Sequence, residues 1–144
     1  MLWFLFALSF VIQIVAFIFA VMFNTESFYD LTGSLTFISL TIIGLFVNNT
    51  PSYQQYIAAI MIVIWTARLG AFLFVRILNS GGDSRFDEIK KSKLKFFLTW
   101  LTQGLWVVVT AAPLLVVISK SAKTRSVDVL EIIGIVVWAF GLIF

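Results

Sequence analysis

The chain has 144 residues, 61% of them hydrophobic and only 12% charged, with a mean hydropathy of +1.07; soluble domains carry about twice that charged fraction, so a soluble domain is excluded in favour of a protein with several membrane spans. The formal charge of +3 does not point to nucleic acid, because the basic residues gather in two short loops, where an orientation signal accounts for them. The absence of cysteine and histidine removes structural disulfides, the usual zinc and haem ligands, and any Ser–His or Cys–His nucleophile pair.

Five apolar segments follow one another, each set against the roughly 20 residues that a helix needs to cross a bilayer. They are residues 2–23, 31–47, 56–78, 96–118 and 129–144. The first is interrupted only by Ser9 and Gln13; it lacks a basic leader and a small-residue cleavage site, so it reads as a retained span and not a signal peptide. The second is short and rich in serine and threonine. Neither alternating strands nor hairpin turns compete with helices, so the expected fold is an all-α polytopic bundle, a single domain over 1–144, with short connections between antiparallel neighbours. Pro113 within the fourth segment is expected to free a carbonyl and kink the helix. The last segment is 16 residues long, includes Glu131 and reaches Phe144 without a polar flank. It reads as a chain cut in mid-span.

The loops differ in charge. Residues 24–30 and 48–55 contain no Lys or Arg; residues 79–95 contain Arg85, Lys90, Lys91, Lys93 and Lys95; residues 119–128 contain Lys120, Lys123 and Arg125. Five spans and this bias place the 79–95 loop in the cytoplasm and the N-terminus outside. Asn48-Asn49-Thr50 is formally a glycosylation sequon, read here as a chance match because it lies against the membrane with Pro51 after it.

Few polar residues sit deep. Arg68 lies ten residues before Leu78 and Gln103 seven residues after Phe96, or about 15 and 10 Å from the same face at 1.5 Å per residue. The two are expected to meet across antiparallel helices, the glutamine carbonyl accepting from the guanidinium. An intramembrane arginine is costly, so Arg68 is read as lining a polar cavity. Trp65 shares its face at i, i+3 and is expected to stack on it. Arg76 lies at the helix end, where Asp30 of the second span is placed to pair with it or to cap its own helix. Asn79 to Glu88, with Gly81-Gly82, reads as a polar turn, and the lysines after it as lying on anionic headgroups.

Trp65-x-x-Arg68-Leu69-Gly70, then Arg76, then Gly82-Asp83-Ser84-Arg85-Phe86-Asp87, then Phe96-Phe97-x-x-Trp100-x-x-Gln103-Gly104, with Tyr29-Asp30-Leu31-Thr32-Gly33 before them and Pro113 beyond, form an ordered series over residues 28–118. It resembles the steroid 5α-reductase superfamily, in the branch of multi-pass proteins with a 5α-reductase-like domain. The resemblance implies an integral-membrane enzyme of about seven spans that uses NADPH to reduce a carbon–carbon double bond of a lipid or steroid-like substrate. It implies catalytic-cavity roles for Arg68, Gln103 and Asp30, and a cofactor-binding role for Arg76, Asp83 and Arg85. It also implies residence in the endoplasmic reticulum membrane if the source is eukaryotic. The superfamily builds most of its cofactor site from a C-terminal half with a His-Pro-Asn-Tyr-like stretch, so this chain reads as the N-terminal half, inactive alone. The alternative is a non-catalytic membrane module that binds lipid or a partner helix.

Overall fold

The computed structural model describes residues 1–120 and 126–143, all of whose regular structure is helical. Lys123 and Arg125, counted above in the charge bias, lie outside the described residues. The order is α1 (Leu2–Met22), α2 (Tyr29–Val47), α3 (Tyr53–Ser80), α4 (Phe86–Ile89), α5 (Lys93–Ser119) and α6 (Val129–Ile143). Helices α1, α2, α3 and α5 are long and apolar enough to cross a membrane. Helix α6 has 15 residues, about 22 Å at 1.5 Å per residue, against a hydrocarbon layer of about 30 Å.

Helices α3 and α5 extend beyond their apolar cores because polar residues at their ends cap them. Ser52 Oγ accepts from the backbone N–H of Gln55 while the Gln55 side-chain Oε1 accepts from the Ser52 N–H at 2.8 Å, a reciprocal capping box. Ser92 does the first half of this for α5 through Lys95. Helix α3 stops at Gly81, whose φ of 72° is left-handed and unfavourable for any residue with a Cβ. Helix α5 continues through Pro113 to Ser119.

The helix at the centre is α2, packed on α1, α3 and α5. Its own sequence explains how neighbours approach: Gly33, Ser34, Thr36 and Gly44 present little bulk. On one side, Gly70 of α3 comes so close to Ser34 that its hydrogen occupies the space a Cβ would need. Phe37 meets Trp65 edge-on at 5.7 Å between centroids on the same seam. On the other side, a Cβ at Gly33 would stand 2.6 Å from Gln103 Nε2. Between α1 and α5, Ser9 Oγ donates to the Gly104 carbonyl at 3.1 Å, and Gln13 packs on Gly104. Leu5, Phe37, Leu40, Val107, Ala111 and Leu115 fill the apolar interior between them.

In a bilayer every polar group needs a partner inside the protein. Thr32, Thr36 and Thr41 donate back to the carbonyls four residues earlier, and Gln13 Nε2 donates to Thr36 Oγ1 at 3.1 Å. At the end opposite the lysine-rich loop, Asn48 Nδ2 donates to the Ile118 carbonyl at 2.7 Å and to Gln55 Oε1. Gln55 Nε2 donates to the carbonyls of Val117 and Lys120. These two amides satisfy the carbonyls that α5 leaves open at its C-terminus. The Asn48 amide of the formal sequon is thus a helix-end latch. Helix α6 has no buried residue, and Tyr53 OH donates to its Glu131 at 3.2 Å.

The α2–α3 seam gives the first prediction. Gly70→Val forces backbone away from the Ser34 side chain and is expected to destabilise the bundle by about 1–3 kcal/mol, whereas Gly141→Val enters open space and is expected to be neutral. Unfolding midpoints in a detergent titration check both.

Candidate functional site

At the lysine-rich end, three connections converge on one cluster of charges. Gly81 and Gly82, with φ of 72° and 150°, turn the chain sharply out of α3 and present Asp83 to Arg85. Arg85 donates from Nε to both Asp83 oxygens, at 2.9 and 2.8 Å, and its Nη2 also bonds Asp83. The same Nη2 reaches Asp30, at the first turn of α2, at 3.0 Å. The arginine hydrogen bond, more than any other influence, holds the Asp83 carboxyl below the usual carboxylate range, and it raises Arg85 in turn. Arg85 therefore ties the α3–α5 connection to α2.

Glu26, only 5% exposed in the α1–α2 connection, is the residue the sequence reading passed over. Its carboxylate pairs with Lys90 at 2.6 Å and accepts from the Asp83 N–H at 3.4 Å. It fixes the backbone that carries Asp83. A buried acid in a loop without basic residues, facing a loop full of them, was the available signal.

Below this ring lies an aromatic floor. The segment read as a polar turn contains α4, which buries Phe86 against Tyr29 (4.9 Å) and Phe96 (6.1 Å). Trp100, 0% exposed, packs on Phe28, Tyr29 and Phe96. Tyr29 OH donates to the Thr99 carbonyl at 3.1 Å, and Gln103 Nε2 donates to the Tyr29 carbonyl at 3.0 Å. Gln103 Oε1, Trp100 Nε1 and Gln13 Oε1 are buried with no hydrogen-bond partner among the described residues.

Two open grooves run from the charge cluster along α3. One, of about 300 Å3, is lined by Arg76, Ser80, Asp83 and Arg85 among others; the second, of about 570 Å3, by Ala71, Phe72, Val75, Arg76, Asn79 and Ser80. Arg76 belongs to both, is exposed, and makes no side-chain hydrogen bond or ion pair among the described residues.

The structure thus brings together Asp30, Asp83 and Arg85, with Arg76 beside them and Gln103 one turn deeper. Arg68 stands apart. The expected Arg68–Gln103 contact is not formed: Gln103 turns toward α2, whereas Arg68 is exposed on the far side of α3. Depth fixed the level of each residue but not the direction in which it points. The expected Trp65–Arg68 stack also fails, because Trp65 packs inward on Phe37. Asp30 pairs with Arg85 and not with Arg76, since the Gly-Gly turn brings Arg85 back over α2. Lys90 and Lys91 are engaged with Glu26 and Glu88, so only part of the lysine run is open to headgroups.

Four membrane-length helices packed round a small-residue centre, with a charge cluster closing one end, define a polytopic α-helical membrane protein. Residues 16–144 match the family described as DUF1295, a protein family of unknown function. The chain belongs to that family. No curated protein and no solved structure matches it.

The Asp83 shift carries a pH prediction. A carboxyl whose folded pKa lies below its unfolded value of about 4 adds stability above that value and loses it as pH falls through the folded pKa. Wild-type stability is therefore expected to decline below pH about 4, and Asp83→Asn is expected to be less stable at pH 7 with a flatter acid limb. Detergent unfolding across pH 3–7 measures both.

Proposed function

We propose that this chain is the N-terminal part of an NADPH-dependent membrane oxidoreductase that reduces a carbon–carbon double bond of a lipid or steroid-like substrate. The observation that carries the reading is the junction of Arg76, Asp83, Arg85 and Asp30 with the groove on α3. The motifs that resemble the steroid 5α-reductase superfamily fall on these elements in order, and in the orientation expected from the lysine bias the charge cluster would face the compartment that holds the nucleotide.

The residues present suit the anionic part of such a cofactor. Arg76 makes no ion pair among the described residues, and Arg85 is held by two carboxylates through Nε and Nη2, so its fork keeps donors for a further oxygen. Asp30 and Asp83 hold that fork in place while Glu26 holds the Asp83 backbone, and planar, bidentate recognition of phosphate favours arginine over lysine. Bound NADPH would supply the hydride. Arg68, further along α3, would face the substrate and polarise an oxygen on it. The unpaired carbonyl of Gln103 and the indole N–H of Trp100 offer an acceptor and a donor one turn apart, so Gln103 serves the helix contact and keeps one atom for a ligand.

A second reading, a lipid-binding module without catalysis, is favoured by one observation. Val11, Ile12, Val15, Ala16, Phe19, Phe23 and Phe28 line an almost wholly apolar groove of about 510 Å3 that could seat an acyl chain.

The test uses the longest expressed form in lipid nanodiscs, with energy transfer from tryptophan to NADPH as binding readout and double-bond reduction as activity. Arg76→Ala and Arg85→Ala are expected to weaken NADPH binding tenfold or more. Arg68→Leu is expected to insert normally, since leucine relieves the insertion cost of a central arginine, about 2.5–3.5 kcal/mol, while losing turnover. Arg68→Lys is expected to rescue poorly, because a point charge does not reproduce the fork. Lipid binding with no NADPH response would select the second reading.

A further inference from the structure

Arg68 faces away from α2 and α5, the helices on which α3 is packed. The buried side of α3 is marked by Ala59, Thr66, Gly70 and Ile77. At 100° per residue Arg68 lies about 160° round the helix from Gly70 and about 160° from Thr66 in the other sense. It shares a stripe with Ile64, Phe72 and Val75, which are 45%, 64% and 53% exposed. It makes no hydrogen bond, ion pair or ring contact among the described residues. Of the most apolar 18 residues of α3 only 17% is buried, against 39% in both α2 and α5.

The position is deep. Arg68 stands 12 residues from Ser80 and 15 from Tyr53, so in a helix of about 42 Å it lies close to the bilayer midplane, about 12 Å inside the nearer edge of a 30 Å hydrocarbon layer. A guanidinium does not lose its proton there, and isolated intramembrane arginines are paired or face a polar cavity. This chain holds no counter-charge for it. Its seven acids are Glu26, Asp30, Asp83, Asp87, Glu88, Asp128 and Glu131, and each lies in a connection or in the first turn of a helix. A second copy of the chain therefore brings no carboxylate to mid-depth either.

The outward side of α3 already accepts a helix. The start of α6 lies against its other end, where Gln54, Ile57, Ala58 and Met61 face Glu131, Gly134 and Ile135 across a groove of about 330 Å3. The polar contact there joins a carboxylate to α3, from Glu131 to Tyr53. The stripe through Arg68 continues this surface toward the lysine-rich end.

We propose that the outward face of α3 between Ile64 and Val75 is a docking surface for a membrane-spanning helix that carries a carboxylate at mid-depth, with Arg68 as its anchor. A carboxylate takes two of the five guanidinium donors and leaves the others for a ligand oxygen, so docking is compatible with a ligand-facing Arg68. The partner helix would form the second wall of the groove now open beside Phe72 and Val75. The inference stands on the arginine's need for a counter-charge and is independent of the reductase reading.

The test measures association and not activity. The full chain, labelled with a donor fluorophore, is reconstituted in phosphatidylcholine vesicles with acceptor-labelled 24-residue leucine–alanine helices that carry Asp, Leu or Lys at the centre. The Asp helix is expected to associate at least tenfold more tightly than the Leu helix, and the Lys helix no better than Leu. Arg68→Leu is expected to abolish that preference. Trp106→Leu, on the exposed face of α5, is expected to preserve it. Arg68→Asp with a central-Arg helix restores the preference if the contact is an ion pair, which guards against a variant that merely misfolds. Equal binding of Asp and Leu helices to the wild type overturns the proposal. So does a preference that survives Arg68→Leu, or donor–acceptor transfer between copies of the chain that the Asp helix does not displace.

Discussion

The bundle depends on satisfying the polar groups of α2 where no water is available. The membrane-spanning core of this helix is the least apolar of the four long ones, and yet it lies at the centre. Its threonines return their hydrogens to its own backbone, so their hydroxyls cost no unpaired donor. Gln13 and Gln103 then reach it from α1 and α5. Glycines at 33, 70 and 104 let the backbones approach closely enough for these bonds to form. Small residues and interhelical amides do the work that apolar burial does in water, since lipid is as apolar as leucine. Polarity inside the membrane is thus what orders the helices.

The two ends of the bundle are closed in different ways. At one end neutral amides, Asn48 and Gln55, cap the carbonyls of α5. At the other, Glu26, Asp30, Asp83, Arg85 and Lys90 form a linked set of ion pairs above an aromatic floor. Exposed ion pairs contribute little to stability. These are partly buried and share backbone donors, so they are better understood as positioning. They hold one guanidinium, stand beside Arg76, which makes no ion pair among the described residues, and open onto the grooves of α3. The set carries three carboxylates against two cations, so the exposed Arg76 at its edge brings it to neutrality and is the guanidinium left to meet an anion in the proposed reductase.

Much of the architecture was legible from hydropathy. The four long helices lie where apolar segments were expected, but α2, α3 and α5 begin two or three residues earlier, α3 and α5 end one or two residues later, and α1 ends one residue sooner. Hydropathy reports the hydrocarbon layer, while Ser52, Gln55, Ser92 and Gly81 determine where hydrogen bonding starts and stops. The 16-residue segment at 129–144 gives a helix of 15 residues that is shorter than the layer. For the site, the ordered series of motifs named Asp30, Asp83 and Arg85, and the structure brings these three side chains together. Which partner each would choose was not readable, because the Gly81-Gly82 turn and the hidden helix α4 decide it. The failure at Arg68 and Gln103 has one cause: consecutive helices need not face each other through their most polar residues. The small residues Gly70 and Gly104, read as contact faces, would have set the rotation of both helices.

Helix α3 carries two arginines that make no ion pair among the described residues, one at the membrane edge and one at mid-depth. Of the claims made, the one on which the functional account turns is that the Arg76–Asp83–Arg85 end receives NADPH. These 144 residues contain no cysteine, so Ser84→Cys, with any cysteine of a longer form replaced by serine, places a single exposed thiol in the lining of the smaller groove. The direct measurement is its rate of maleimide labelling in nanodiscs, with and without NADPH, on the longest expressed form. The account predicts that saturating NADPH slows labelling at least tenfold and that Arg76→Ala removes the protection. An unchanged rate, with the nucleotide shown to be in excess, would contradict it.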